Sequence, residues 1–222
     1  MIKFFKEKIL WTFNRLVNIR IKLFPSLKLS AEQFFFERDI DIMHSNNGYS
    51  LFSERLRSYI PTNSRVLDLG CNRGLETSII AKTNEVVGID LYKTFVRSAI
   101  KKGINAIVMN FDDLTFKEEF DCVYSNNTLE HTTHPEKVVS GVYRALKPGG
   151  VFIIGMPLDG NNPNIKDPAH FFRAKKDDVV SLLQNNNFDI QTLEIINTKN
   201  KWNWSNPPAN DEMIIAISKK RL

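Results

Sequence analysis

The feature that most constrains the fold is a regular alternation of short apolar runs and amphipathic segments from residue 65 onward. The apolar runs are rich in Val, Ile and Phe, which is typical of buried strands. We predict strands over residues 65–70, 85–90, 104–109, 120–125, 151–156, 188–196 and 212–218. We predict helices over residues 74–82, 92–102, 135–146 and 175–187. Strands that alternate with helices at this spacing form parallel β-α-β units in a doubly wound sheet.

The last two predicted strands, residues 188–196 and 212–218, have no helix between them. A parallel pair needs a long crossover, so we expect the last strand to run antiparallel. The prediction is therefore an α/β fold with a Rossmann-like, doubly wound, seven-stranded sheet over residues 61–222. Residues 1–60 are predicted as an N-terminal helical extension, and Pro61 to Ser64 mark the boundary.

Charge and cysteine content narrow the class of protein. The 222 residues carry a net charge of +5, but residues 1–29 alone carry +6, so the remainder is close to neutral. A near-neutral α/β part argues against a nucleic-acid partner. Two cysteines build neither a disulfide framework nor a zinc site, which predicts a reducing, cytoplasmic location. No apolar run approaches the roughly 20 residues of a membrane-spanning helix.

The N-terminal arm has apolar residues at helical spacing, with lysines and arginines occupying much of the rest. One interpretation is a helix that packs on the α/β domain or covers its active site. The other is a basic amphipathic helix that makes a peripheral contact with an anionic membrane. The apolar positions are Ile2, Phe5, Ile9, Phe13, Leu16 and Val17.

The strongest local signal is the segment from Val66 to Gly74, in which a predicted strand runs into a glycine turn and then a helix. Gly70 allows a sharp turn, and Gly74 allows close approach of the backbone to a ligand. Twenty residues after Gly70, Asp90 ends the second strand, where a carboxylate can accept hydrogen bonds from ribose hydroxyls. Together these residues predict a nucleoside-cofactor site at the carboxyl ends of the strands.

Several segments, in the correct order, resemble the motifs of class I S-adenosylmethionine-dependent methyltransferases. The similarity covers about residues 48–220 and is closest to the small-molecule branch, which includes quinone-pathway and sugar methyltransferases. It implies S-adenosylmethionine as cofactor and S-adenosylhomocysteine as product. The segments are VLDLGCNRG, VVGIDL, FDDLTF, FDCVYSNNTLEHTTHPEKVV, YRALKPGGVFII and HFFRAKKDDVVSLLQNNNFDI.

The resemblance also implies which residues hold the methionine part of the cofactor. Gly70 and Gly74 would line it, with Cys71 in the same loop. Asp68 would hold the amino group, directly or through water. Asn126 would offer its carbonyl to the ammonium.

For the adenosine part, the resemblance implies that Asp90 binds the ribose hydroxyls. Leu91 and Phe111 would cover the two sides of the adenine. Asn110 stands where the family often has an aspartate that accepts from the adenine amino group, and Asp112 is the alternative if the register shifts by two. The family usually has glycine at position 72, where this chain has Asn72. Asparagine tolerates positive φ better than most residues, so we expect the turn to survive.

Methyl transfer to a hydroxyl requires removal of the hydroxyl proton, commonly by a histidine or carboxylate. His131 follows the fourth strand and is our first candidate for the base or for orienting the acceptor, and His170 is the second. Some quinone-pathway relatives hold a metal at a Glu-x-x-Glu-His cluster here. Because Asn127 replaces the first glutamate, we expect no metal site.

The sequence thus predicts an S-adenosylmethionine-dependent methyltransferase acting on a small-molecule acceptor. O-methylation of a hydroxyl on a sugar, glycan precursor or quinone-like ring is the favoured reaction. The alternatives are N-methylation of a small amine and a catalytically silent partner subunit. A nicotinamide-dependent oxidoreductase is disfavoured, because Asn72 and Leu75 occupy glycine positions of the dinucleotide motif.

Overall fold

A computed structural model describes residues 47–158, 169–197 and 212–221, with side chains from Leu51 onward. The helical pattern predicted within residues 1–46 lies outside the described residues. The helices are α1 (Asn47–Arg57), α2 (Leu75–Ile80), α3 (Lys93–Lys101), α4 (Pro135–Ala145) and α5 (Lys176–Asn185). The strands are β1 (Arg65–Leu69), β2 (Glu85–Asp90), β3 (Asn105–Val108), β4 (Phe120–Asn126), β5 (Leu146–Pro157), β6 (Phe188–Asn197) and β7 (Glu212–Lys220).

The seven strands form one sheet in the order β3-β2-β1-β4-β5-β7-β6. Strands β1 to β5 pair in parallel, whereas β7 lies between β5 and β6 and is antiparallel to both. This confirms the predicted doubly wound sheet with an antiparallel last strand. The strand order reverses at β1, which has β2 on one side and β4 on the other, and such switch points are where ligands bind in this class of fold.

Each face of the sheet is covered by its own apolar cluster. Valines of α4 and α5, including Val138 and Val179, pack on one face, and Phe52 and Leu56 of α1 pack on the other. Helix α1 fits against β5 because Gly155 has no side chain. A Cβ atom at Gly155 would lie 2.5 Å from Leu56 Cδ2 and 2.9 Å from Phe52 Cζ.

Strand β5 begins at Leu146, earlier than the predicted residue 151. Leu146 pairs with Phe120, and the register shifts before Cys122 pairs with Val151. The intervening segment, which contains Gly149 at φ +72°, bulges between two paired stretches instead of forming a free turn. Among the described residues, no helix combines the length and apolar character needed to cross a membrane.

Candidate active site

Most of the predicted site residues lie at or just after the carboxyl ends of β1, β2, β3 and β4, and His170 reaches the same place from a later segment. The loop after β1 begins at Gly70, which has φ +74°. The N–H groups of Gly70 and Cys71 both donate to the carbonyl of Ile89, each at 2.9 Å, which ties the loop to β2. Asn72 has φ +51°, so the positive-φ turn forms with asparagine in place of glycine, as expected.

Gly74 ends this loop at φ +75° and directly precedes α2. A Cβ atom at Gly74 would lie 3.0 Å from Ala99 Cβ and 3.3 Å from Ile104 Cγ1. The close approach at this glycine is therefore to α3 and to the start of β3 in the protein interior. Gly74 is needed for the turn and for packing, whatever it contributes to a ligand.

Asp90 is the buried residue at the end of β2. Its carboxylate accepts the N–H of Asn72 at 3.0 Å and the N–H of Tyr92 at 2.8 Å. Burial raises the pKa of Asp90, and the two N–H groups partly oppose that rise. A carboxylate has about four acceptor positions, so two remain for the two hydroxyls of a ribose. These two acceptor positions therefore fit the hydroxyls of a nucleoside.

Asp68 lies in β1 and is also buried. Thr77 of α2 donates to its Oδ2 at 2.7 Å. Burial raises the pKa of Asp68 to about 7 even though the Thr77 hydroxyl lowers it. A cationic ligand group would favour the charged form, so Asp68 is suited to an ammonium.

The loop after β3 is organised by Asn110, whose Oδ1 accepts the N–H of Asp112 at 3.0 Å. That bond caps a short 3-10 turn from Phe111 to Asp113. Phe111 is half-buried against the core, whereas Leu91 after β2 is exposed. An apolar residue thus stands in each of the two loops in which an adenine was expected to bind.

Asn126 ends β4 and contacts helix α1. Its Nδ2 donates to Ser53 Oγ at 3.1 Å, and its Oδ1 accepts from Asn127 Nδ2 at 3.1 Å. Ser53 is buried, so this bond fixes the helix against the end of β4. The side chain of Asn126 is thus committed to protein contacts, and its main-chain carbonyl is close to Thr128 Oγ1 at 3.2 Å.

The two candidate histidines come together after β4. Their rings lie edge to face with centroids 5.1 Å apart. His131 Nδ1 lies 2.9 Å from the carbonyl oxygen of Ala169. Because a carbonyl only accepts, Nδ1 carries a proton, and in the neutral ring Nε2 then carries the lone pair. The carbonyl of Glu130 accepts the N–H groups of Phe171 and the residue after it, which holds the His170 segment in place.

The same cluster of side chains contains potential metal ligands. Glu130, His131 and His170 each offer a ligand atom within 4.8 Å of the others, and Glu130 is buried. Two imidazoles and a carboxylate form a donor set that zinc and similar ions accept. His170, from a distant segment, thus adds a potential ligand that the sequence expectation did not include, and the expectation that there is no metal site stays a prediction.

Sequence reasoning missed three residues that shape the site: Thr77 beneath Asp68, Thr128 against Gly70, and Ser53 beside Asn126. Thr128 and Ser53 act on partners in distant segments, so no local pattern could have revealed them. Thr77 lies only nine residues after Asp68, but their contact depends on how α2 packs against β1. A separate open cleft of about 840 Å³ lies at the opposite edge of the sheet. Several of its charges pair with each other, as Lys147 does with Asp121 at 2.8 Å, and the cleft is not part of the site.

Comparison with known proteins identifies the domain. Residues 67–154 match the family described as a methyltransferase domain. Over these residues, and in its sheet order, the chain is similar to the class I S-adenosylmethionine-dependent methyltransferases, whose cofactor is S-adenosylmethionine. The sheet confirms the predicted fold, and the match over residues 67–154 supports the predicted family and cofactor.

Individual relatives share part of the chain. An uncharacterised protein of Methanocaldococcus jannaschii, MJ1123, is 36% identical over 46% of this chain and 49% of its own length. A ubiquinone biosynthesis O-methyltransferase of Hydrogenovibrio crunogenus is 31% identical over 40% of each chain. The chain thus spans about half the length of these curated relatives, or less.

A solved structure covers more of the fold. The 1,6-didemethyltoxoflavin-N1-methyltransferase of Burkholderia thailandensis, with 1,6-didemethyltoxoflavin and S-adenosylhomocysteine bound, superposes with a TM-score of 0.67. It is 17% identical and covers 90% of this chain and 89% of its own. At that identity the likeness shows a shared fold.

Proposed function

We propose that this protein is an active methyltransferase that methylates a hydroxyl oxygen of a small-molecule acceptor. A sugar, a glycan precursor or a quinone-like ring would carry that hydroxyl. When bound, S-adenosylmethionine supplies an already activated methyl group, so the protein mainly has to position the acceptor and remove its proton. The observation that carries the proposal is the meeting of the His131 and His170 rings at this site, edge to face with centroids 5.1 Å apart. The His131 ring is oriented by the contact of its Nδ1 with the carbonyl oxygen of Ala169 at 2.9 Å.

The cofactor would lie along the carboxyl ends of β1, β2, β3 and β4. Asp90 would bind the ribose hydroxyls, and Asp68 the amino group near Gly70, Cys71 and Gly74. The main-chain carbonyl of Asn126 would complete the ammonium site. On the other side, Leu91, Asn110 and Phe111 would enclose the adenine.

In the chemical step, His131 Nε2 would take the acceptor's hydroxyl proton as the oxygen–methyl bond forms and the sulfur–methyl bond breaks. His170, 5.1 Å away between ring centroids, would orient the acceptor or take the same role. The buried Glu130 stands next to both rings and would stabilise the imidazolium that forms.

The remaining assignments belong to the same proposal. Residues 1–60 would form an arm that covers the site and 61–222 the catalytic domain. The basic arm is the segment that would make any peripheral membrane contact. A reducing cytoplasm suits the two buried thiols.

The test is an acceptor screen that detects methylated products by mass spectrometry, with hydroxyl and amine acceptors side by side. On a hydroxyl acceptor, His131→Gln should lower kcat by about 10²- to 10⁴-fold. His134→Gln is the matched control, because this neighbouring histidine is largely exposed. A parallel reaction in the presence of a chelator tests whether turnover needs a metal.

Two other results would overturn the proposal. Turnover restricted to amines, and insensitive to replacing His131 or His170, would indicate an N-methyltransferase. Binding of the cofactor without turnover on any acceptor would indicate a catalytically silent partner subunit.

A further inference from the structure

The turn that carries His131 is bordered by two buried threonines. Thr128 directly precedes this 3-10 turn, Leu129–His131, and Thr132 directly follows it. Only 5% of Thr128 and 2% of Thr132 is exposed. The carbonyl of Thr128 also accepts the N–H of His131 at 3.0 Å. The position of the histidine is therefore set at both ends by residues that do not themselves face solvent.

Thr128 contacts the loop after β1. Its Oγ1 lies 2.9 Å from the carbonyl oxygen of Leu69 and 3.2 Å from that of Asn126. A Cβ atom at Gly70 would lie 2.5 Å from the same Oγ1. Thr128 thus occupies the space that the missing side chain of Gly70 leaves, at the first residue of the methionine-side loop.

Thr132 contacts the loop after β3. Its hydroxyl donates to Asp112 Oδ1 at 2.7 Å and accepts the N–H of His134 at 2.8 Å. Asp112 belongs to the turn that Asn110 caps. One threonine therefore joins the histidine turn to the loop on the methionine side, and the other joins it to the loop on the adenine side.

We propose that Thr128 and Thr132 are positioning residues that link occupancy of the cofactor site to the placement of the His131 imidazole. The proposal rests on the cofactor placement and on the role of His131 given above. A ligand that fixes the conformation of the loops after β1 and β3 also fixes both ends of the turn that carries His131. By linkage, a histidine turn released from the loops should weaken cofactor binding in return.

The test uses the full chain and S-adenosylhomocysteine as the probe, with histidine side-chain NMR as the readout. The chain has four histidines, so His131→Gln assigns the signal of interest by its disappearance. In the wild type, saturating S-adenosylhomocysteine should shift the His131 imidazole signals. In the Thr128→Val, Thr132→Val double variant, less than half of that shift should remain at saturation. Calorimetry should show binding weakened about fivefold, as expected for lost hydrogen bonds.

Two controls separate positioning from general stability. Thr128→Ser with Thr132→Ser keeps both hydroxyls and should restore the His131 shift. Ser125→Ala removes a buried hydroxyl at the same strand end that has no hydrogen-bond partner among the described residues, and it should change nothing. If the double valine variant does not fold, each single valine variant should lose part of the shift.

A full His131 shift in the saturated double valine variant would overturn the proposal, as would a wild-type His131 that does not respond to the probe. Failure of the proposed chemistry looks different. In that case, His131→Gln would retain turnover on hydroxyl acceptors while the NMR coupling stayed intact.

Discussion

Replacing Asp68 with asparagine should raise the free energy of unfolding of the cofactor-free protein at neutral pH. In the folded protein, burial raises the pKa of Asp68 from 3.8 to about 7. Each pH unit of such a difference corresponds to about 1.36 kcal/mol, so the charged carboxylate costs up to about 4 kcal/mol above pH 7. Asparagine avoids that cost, and its carbonyl can still accept the Thr77 hydroxyl.

The pH dependence follows from the sign of the shift. Between about pH 4 and pH 7 the folded chain holds a proton on Asp68 that the unfolded chain has lost. The free energy of unfolding of the wild type should therefore fall as pH rises through that window, and this contribution should be constant above it. Asp68→Asn should match the wild type near pH 4 and exceed it by about 2–4 kcal/mol at pH 8, because its buried amide offsets part of the gain.

The assay is urea denaturation of both proteins, without cofactor, at several pH values between 4 and 8. Asp121→Asn is a control of opposite sign, because Lys147 and the N–H of Arg65 lower the pKa of Asp121. That variant should lose stability at neutral pH. The reasoning is refuted if Asp68→Asn at pH 8 is no more stable than the wild type. A second expected outcome is weaker cofactor binding by Asp68→Asn, because a neutral amide does not attract an ammonium.

Three further predictions concern single positions. Asp90→Ala should raise the calorimetric Kd for S-adenosylmethionine about 100-fold, because charge-assisted hydrogen bonds to the ribose are lost; an unchanged Kd in a folded variant would remove Asp90 from the site. Asn72→Ala should lower the free energy of unfolding by about 1 kcal/mol, because alanine is strained at φ +51°, whereas Asn72→Gly should be tolerated; equal stability of the two variants would contradict this. Gly155→Ala should lower the melting temperature, at a cost of about 1–3 kcal/mol, because its Cβ collides with Leu56 and Phe52; a well-folded variant with an unchanged melting temperature would show that α1 can shift freely.

Local periodicity was sufficient to predict most of the fold. The strands and helices after residue 61 alternate so regularly that their order and parallel direction follow from elementary rules. The start of β5 was missed because Pro148, Gly149 and Gly150 favour a turn when considered locally. The pairing of Leu146 with Phe120 that extends the strand is a contact between distant segments.

Part of the candidate site could also be predicted from the sequence. The positive φ of Asn72 follows from the chemistry of asparagine, and the adjacency of Gly70 and Asp90 follows from their places at the ends of neighbouring strands. The fit of Thr128 against Gly70 depends on three-dimensional packing. So does the approach of His170 to His131, which turns two separate histidines into one cluster.

The packing of Cys71 against Gly88 makes the reactivity of this thiol a measure of how often the loop after β1 opens. A Cβ atom at Gly88 would lie 2.9 Å from the Cys71 sulfur, so the thiol is enclosed where the loop after β1 meets β2. The second thiol, Cys122, lies fully buried in the central strand β4, and the chain has no other cysteine. Alkylation of Cys71 should require only that this loop opens, whereas alkylation of Cys122 should require that the sheet itself unfolds. A bound cofactor should therefore slow the alkylation of Cys71 more than that of Cys122. The two alkylation rates, measured on one unlabelled chain, would report local opening and global opening separately.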